Sequence, residues 1–155
     1  MGKSNILPNN EIFDLFLEME LKRSLRYQNF ISLLLIEANP RAAASRAEDS
    51  STLAEKMAAL IQKELRETDL IGTYDRNTIR VVLLYSDERV AHKIGDRLRL
   101  WISNYFGLEG NNSNVSLGDA CFPSQANDLG CLYQKASEML ERAKALNGNS
   151  TCSWD

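Results

Sequence analysis

The chain has 155 residues, of which 44% are hydrophobic and 25% charged, with a net charge of −3. That length suffices for one domain with a real core, and the weakly acidic balance excludes the clustered basic face of a duplex DNA or RNA binder. Three cysteines without metal-ligand spacing (Cys121, Cys131, Cys152) and a single histidine, His92, argue against a disulfide framework, His-based metal sites and His acid–base pairs. No apolar run is long enough to insert in a bilayer. Residues 1–10 lack the apolar stretch of a signal peptide. A reduced, cytoplasmic protein is expected.

In chain order, residues 1–10 contain Pro8-Asn9-Asn10 and are expected to be a flexible lead-in, with Asn10 as a helix cap. Ile12, Phe13, Phe16, Leu17, Met19 and Leu25 recur near helical period over Glu11 to Tyr27. Phe30 to Ile36 is apolar at every position but Ser32, the pattern of a strand covered on both faces, and Pro40 stops it. Residues 41–52 carry no strong pattern and are either a loop or a frayed helix start. Leu53, Met57, Leu60, Ile61 and Leu65 predict an amphipathic helix capped by Ser51 or Thr52 and ending at Arg66. Leu70–Thr73 and Thr78–Leu84 predict a β-hairpin around the turn residues Asp75-Arg76-Asn77.

Ser86-Asp87 cap a long helix to about Phe106, with Val90, Ile94, Leu98, Trp101, Ile102 and Tyr105 as its buried stripe. Residues 107–113 read as a loop. Val115–Phe122 reads as a strand closed by Pro123. Leu129, Leu132, Ala136, Met139, Leu140 and Ala143 mark a last helix with Asn147-Gly148 at its C-cap. The domain spans 11–149, and 150–155 is expected to be a loose tail. Helices and strands in this order predict an α/β (α+β) fold with one central, mostly antiparallel sheet flanked by helices.

This order and several local motifs resemble the GGDEF domain of diguanylate cyclases, over about Phe13 to Asn149. The resemblance rests on Arg23-Ser24-Leu25-Arg26-Tyr27 with Leu33-Leu34-Leu35-Ile36-Glu37, on Asp69 through Leu84, on Ser116-Leu117-Gly118, and on Ala136 through Leu140 with Ala143-Lys144. It implies a nucleotide-cyclase-like palm with a hairpin at the former active site. Asp75-Arg76-Asn77-Thr78-Ile79 stands where the family has Gly-Gly-Asp-Glu-Phe. The paired glycines that admit a nucleotide to the backbone are therefore absent, and Asn77 and Thr78 bring no charge for a divalent ion. The family's metal-binding aspartate maps to Glu37, a further motif Asp to Asn39 and a Phe to Pro40. Residues 41–51 hold no counterpart of the guanine-seating elements. Lys144 matches a phosphate contact, while the arginine expected one turn later is Gly148. The resemblance thus implies no catalysis, no Mg²⁺ requirement and no other cofactor.

The resemblance also implies a surviving product site. The family's inhibitory Arg-x-x-Asp motif matches Arg66-Glu67-Thr68-Asp69, and Arg97 stands where a second arginine completes that site. The chemistry suits cyclic di-GMP. An arginine fork donates to guanine O6 and N7, a carboxylate accepts from the guanine N–H groups, and a second guanidinium stacks or pairs with phosphate. The expected function is a catalytically inactive receptor that binds cyclic di-GMP at Arg66, Asp69 and Arg97 and signals to an unidentified protein partner or through a homodimer. The plainer alternative makes Arg66–Asp69 a surface ion pair, Arg97 a solvated charge, and the chain a ligand-free interaction module contacting through Glu11–Tyr27. An active cyclase or a GTP-binding allosteric domain is a third reading.

Overall fold

A computed structural model describes residues 6–7, 10–38, 52–108, 114–146 and 149–154. The expected strand stop at Asn39-Pro40, the unpatterned stretch 41–51, most of the 107–113 loop and the Asn147-Gly148 cap lie outside the described residues. Among those described, six strands form one sheet in the order β1-β3-β4-β2-β5-β6. They are β1 (Ile6–Leu7), β2 (Ile31–Ala38), β3 (Leu70–Thr73), β4 (Thr78–Leu84), β5 (Val115–Phe122) and β6 (Thr151–Ser153). The helices are α1 (Asn10–Tyr27), α2 (Leu53–Ile61), α3 (Glu88–Leu108) and α4 (Leu129–Ala145). The central pairings β3–β4, β4–β2 and β2–β5 are antiparallel, and the outer strands β1 and β6 join in parallel. No described helix is long and apolar enough to cross a membrane.

Strand β2 explains the layering. Its alternate residues Leu34, Ile36 and Ala38 pack under α2 and α3, while Ile31, Leu33 and Leu35 pack under α1 and α4. A strand apolar on both sides is stable only where both faces are covered. On β5, Gly118 takes α4 at its closest approach. A Cβ there would lie 2.1 Å from the Leu140 backbone nitrogen, so the Ser-Leu-Gly motif has a packing reason.

Four expectations are corrected. The α2 helix does not run to Arg66; it tightens into a 3-10 turn over Gln62–Glu64, and Arg66 lies beyond it. The buried stripe of α3 is Ala91, Leu98, Ile102 and Phe106, with Ile94 at its side, whereas Val90, Trp101 and Tyr105 are exposed. On α1 only Phe13, Leu17, Leu21 and Ser24 are buried; Ile12, Phe16, Met19 and Leu25 face outward. Both termini also join the sheet. Ile6 and Leu7 pair with Ile71 and Gly72, and the supposed loose tail contributes β6 beside β5. Polar side chains hold that tail. Arg99 and Asp96 bond to Thr151, Ser153 donates to Asp119, and Lys135 lies over the Trp154 ring. Without β6 the outer edge of β5 would lack partners for its backbone groups.

On the α1/α4 face of β4 lies a fully buried arginine. Arg80 Nη1 donates to Asp14 Oδ1 (3.1 Å) and to the Tyr133 hydroxyl (2.6 Å), and Nη2 donates to Asn10 Oδ1 (2.8 Å). Its guanidinium carbon stands 4.0 Å from the centre of the Phe13 ring. Removing the carboxylate leaves a buried cation short of its counter-charge, which costs more than replacing the cation by an apolar chain of similar volume. Asp14 is itself half-exposed and water can enter in its place, so Asp14→Ala is expected to lower unfolding stability by about 1–3 kcal/mol, and Arg80→Met by less. Urea denaturation of the two variants checks the ranking, and a reversed order would refute it.

Candidate functional site

The hairpin has two ends with different chemistry. At its tip, Asp75 Oδ1 accepts from the Asn77 backbone N–H at 2.9 Å, the side-chain turn that Asp and Asn favour. The tip carbonyls are also engaged. Arg76 accepts from the Ala54 N–H of α2 and Asn77 accepts from the Ala38 N–H at the end of β2. The turn is thus a junction that joins the hairpin to its neighbours.

Glu37 sits beside this tip, paired in register with Thr78. Its carboxylate accepts from Thr78 Oγ1 at 3.2 Å and forms an ion pair of 2.8 Å with Lys144 Nζ. The Glu37 contact, ahead of the opposing effect of burial, holds the Lys144 ammonium above its ordinary pKa. A divalent cation at Glu37 would have to displace that ammonium and would find Thr78 and Asn77 in place of further carboxylates. These residues do not fit a two-metal site. Lys144, expected as a phosphate contact, is engaged with Glu37 and Glu141.

At the root of the hairpin, Arg66 and Asp69 close a turn on each other. The Asp69 N–H donates to the Arg66 carbonyl, and the Arg66 N–H donates to Asp69 Oδ2 at 3.0 Å. The Arg66 fork adds Nε to Oδ2 (3.3 Å) and Nη2 to Oδ1 (3.1 Å). Nη2 also reaches the Leu84 carbonyl (2.8 Å) and Ser86 Oγ (3.3 Å). The Asp69 side chain is 3% exposed and that of Arg66 52%. This is not an ordinary surface pair. A buried carboxylate accepts three bonds from one residue and fixes the direction of its guanidinium.

Arg97 is exposed on α3 and, among the described residues, takes no hydrogen bond or ion pair. His92, Asp96 and Arg99 hold β6 along one flank of that helix. Helical geometry puts Arg97 on the other flank, the side of α2. The structure therefore brings Arg66 and Asp69 together, with Arg97 on a separate element. Of the pair Ser86-Asp87 read from sequence as a helix cap, Asp87 accepts from the Val90 N–H, while Ser86 accepts from Arg66. Its position just after an apolar strand gave no sign of that role.

A second polar cluster lay outside the sequence reading. Asp119 is buried on β5, accepts from Ser153 Oγ at 2.7 Å, and lies 3.7 Å from His92 Nδ1. The ring nitrogen is itself 2.6 Å from Ser153 Oγ, so His92 is exposed but anchored. An acidic residue inside an otherwise apolar strand was the available signal.

No family model and no curated protein matches the sequence. Solved structures do match. The active GGEEF domain of a diguanylate cyclase from Vibrio cholerae aligns over 96% of this chain and 98% of its own, with a TM-score of 0.83 and 15% identity. The GGDEF domain of DgcB from Caulobacter crescentus, solved in complex with c-di-GMP, aligns over 95% of this chain and 88% of its own, with a TM-score of 0.80 and 14% identity. The diguanylate cyclase SiaD from Pseudomonas aeruginosa, solved with its activator SiaC, gives a TM-score of 0.78 and 18% identity over 96% of this chain and 59% of its own. The fold is that of the GGDEF domain.

Burial pushes the Asp119 carboxyl up to about 6, against the opposing pull of the Ser153 hydroxyl and His92. The folded protein then holds a proton that the unfolded chain releases near pH 4. This contribution to stability is fully present below about pH 4 and is lost as pH rises through about 6, a change of up to about 3 kcal/mol. Asp119→Asn is expected to gain stability relative to wild type between pH 4.5 and pH 7. Urea denaturation at both values reads it, and a loss over that interval would contradict the assignment.

Proposed function

We propose that this protein is a catalytically inactive GGDEF-fold domain that binds cyclic di-GMP at Arg66, Asp69 and Arg97 and relays occupancy to a protein partner. The observation that carries the reading is the Arg66–Asp69 turn. A half-exposed guanidinium is held in a fixed direction by a buried carboxylate. A guanidinium held in a fixed direction loses little freedom when its exposed N–H groups donate to a guanine acceptor or to a phosphate. Asp69 spends its acceptors on Arg66, so in this reading it aims the arginine before it meets any base. Among the described residues Arg97 commits no bond to the fold, and it is available for phosphate or stacking. That one domain of this fold is known with c-di-GMP, and another with a protein activator, supports both halves of the proposal.

The inactive part of the reading rests on the tip. Side chains stand at both glycine positions, the turn carbonyls serve α2 and β2, and Glu37 is paired with Lys144. The ligand needs no metal ion in this account. Incubation with GTP and Mg²⁺ should yield no cyclic product.

Calorimetry with cyclic di-GMP tests the binding. The wild type should bind in the micromolar range, and Arg97→Ala should weaken it by about tenfold or more, about 1.4 kcal/mol. The melting temperature of the ligand-free Arg97→Ala protein should match wild type. Arg66→Ala should lose both binding and about 1–3 kcal/mol of stability, because Asp69 stays buried without its partner. Absence of heat with the wild type at high micromolar ligand would end the proposal.

A further inference from the structure

The outward face of α1 carries Leu15, Phe16 and Met19, which are 60%, 45% and 51% exposed, with Ile12 one turn earlier. These positions recur at three- and four-residue steps and so form one stripe. The core face of the same helix, Phe13, Leu17, Leu21 and Ser24, lies on nearly the opposite side. Arg80 and Asp14 fix that orientation, so the stripe cannot rotate inward.

The charges on α1 are divided along its length. Glu11, Asp14, Glu18 and Glu20 occupy the first part, and Lys22, Arg23 and Arg26 the last. Glu11, Glu18 and Lys22 run along one flank of the stripe and are exposed. A second α1 laid parallel would set acid against acid and base against base. Laid antiparallel about a two-fold axis, it sets Glu11 of each copy beside Lys22 of the other. The midpoint of that pair falls between Phe16 and Leu17, beside the stripe. Antiparallel helices also oppose their dipoles favourably.

We infer that this face of α1 is a self-association surface, on which a second copy of the chain packs its own α1 antiparallel through Leu15, Phe16 and Met19. The contact is isologous and closes at two copies. An 18-residue helix is about 27 Å long, and one helix pair buries less than a standard interface. The dimer should therefore be weak, with a dissociation constant on the order of tens of micromolar.

Sedimentation equilibrium of the full chain up to roughly 500 µM, without nucleotide, tests this independently of cyclic di-GMP binding, in a range bracketing the affinity expected for so small an interface. Wild type should dimerise. Phe16→Lys and Met19→Lys should each raise the dissociation constant by about tenfold or more, with unchanged far-ultraviolet circular dichroism because both positions are exposed. Glu11→Lys and Lys22→Glu should each weaken the dimer at low salt, and the double swap should restore it. A monomeric wild type at every concentration, or a double swap no tighter than its single variants, would overturn the inference.

Discussion

The buried guanidinium of Arg80 constrains more of this structure than any other single group. A charge removed from water is tolerated only where counter-charge and hydrogen bonds surround it. Here they come from Asp14 and Asn10 on α1 and Tyr133 on α4, with the Phe13 ring beneath. The need to satisfy one side chain on β4 therefore ties two helices to the same sheet face. Tyr133 also donates to Asp14, and burial pushes its phenol pKa well up, so the hydroxyl stays a donor. Gly72 lies opposite Arg80 in β3, where a Cβ would stand 2.7 Å from Phe13. The cluster needs that space.

Fixing α1 fixes what the protein shows to its surroundings. Phe13 and Leu17 must face the sheet to cover Arg80 and the β2 residues beside it. Leu21 follows them inward, while Ile12, Leu15, Phe16, Met19 and Leu25 are left outward, where they cover no described core. The same logic separates the two ends of the hairpin. The tip spends its polar groups on α2, β2 and its own turn, which makes it a structural junction. The root spends Asp69 on Arg66 and leaves half of that arginine to solvent.

A likeness to solved GGDEF domains at 14–18% identity is a statement about backbone. What these residues do depends on local chemistry, and the local chemistry differs between the two sites. Glu37, beside the hairpin tip, pairs its carboxylate with Lys144. Arg66 and Asp69 close a turn on each other that leaves the guanidinium half exposed and fixed in direction. That contrast between an oriented, half-exposed guanidinium and a carboxylate already paired is the physical basis for the receptor proposal.

Sequence alone determined the hairpin limits, strand β5 and the core face of α4. Each is set by short-range rules: alternation, turn residues and helical period. It did not determine which apolar face of α1 is inside, because that helix is apolar on two sides and only Arg80 chooses between them. The α3 stripe was misplaced for a related reason, since aromatic residues at helical spacing fit a solvent flank as well as a core. It did not reveal that the polar tail is a strand, because Thr151 and Ser153 are held by Asp96, Arg99 and Asp119 from remote segments. Contacts between residues far apart in the chain leave no periodic trace, and only the folded backbone brings them within bonding distance.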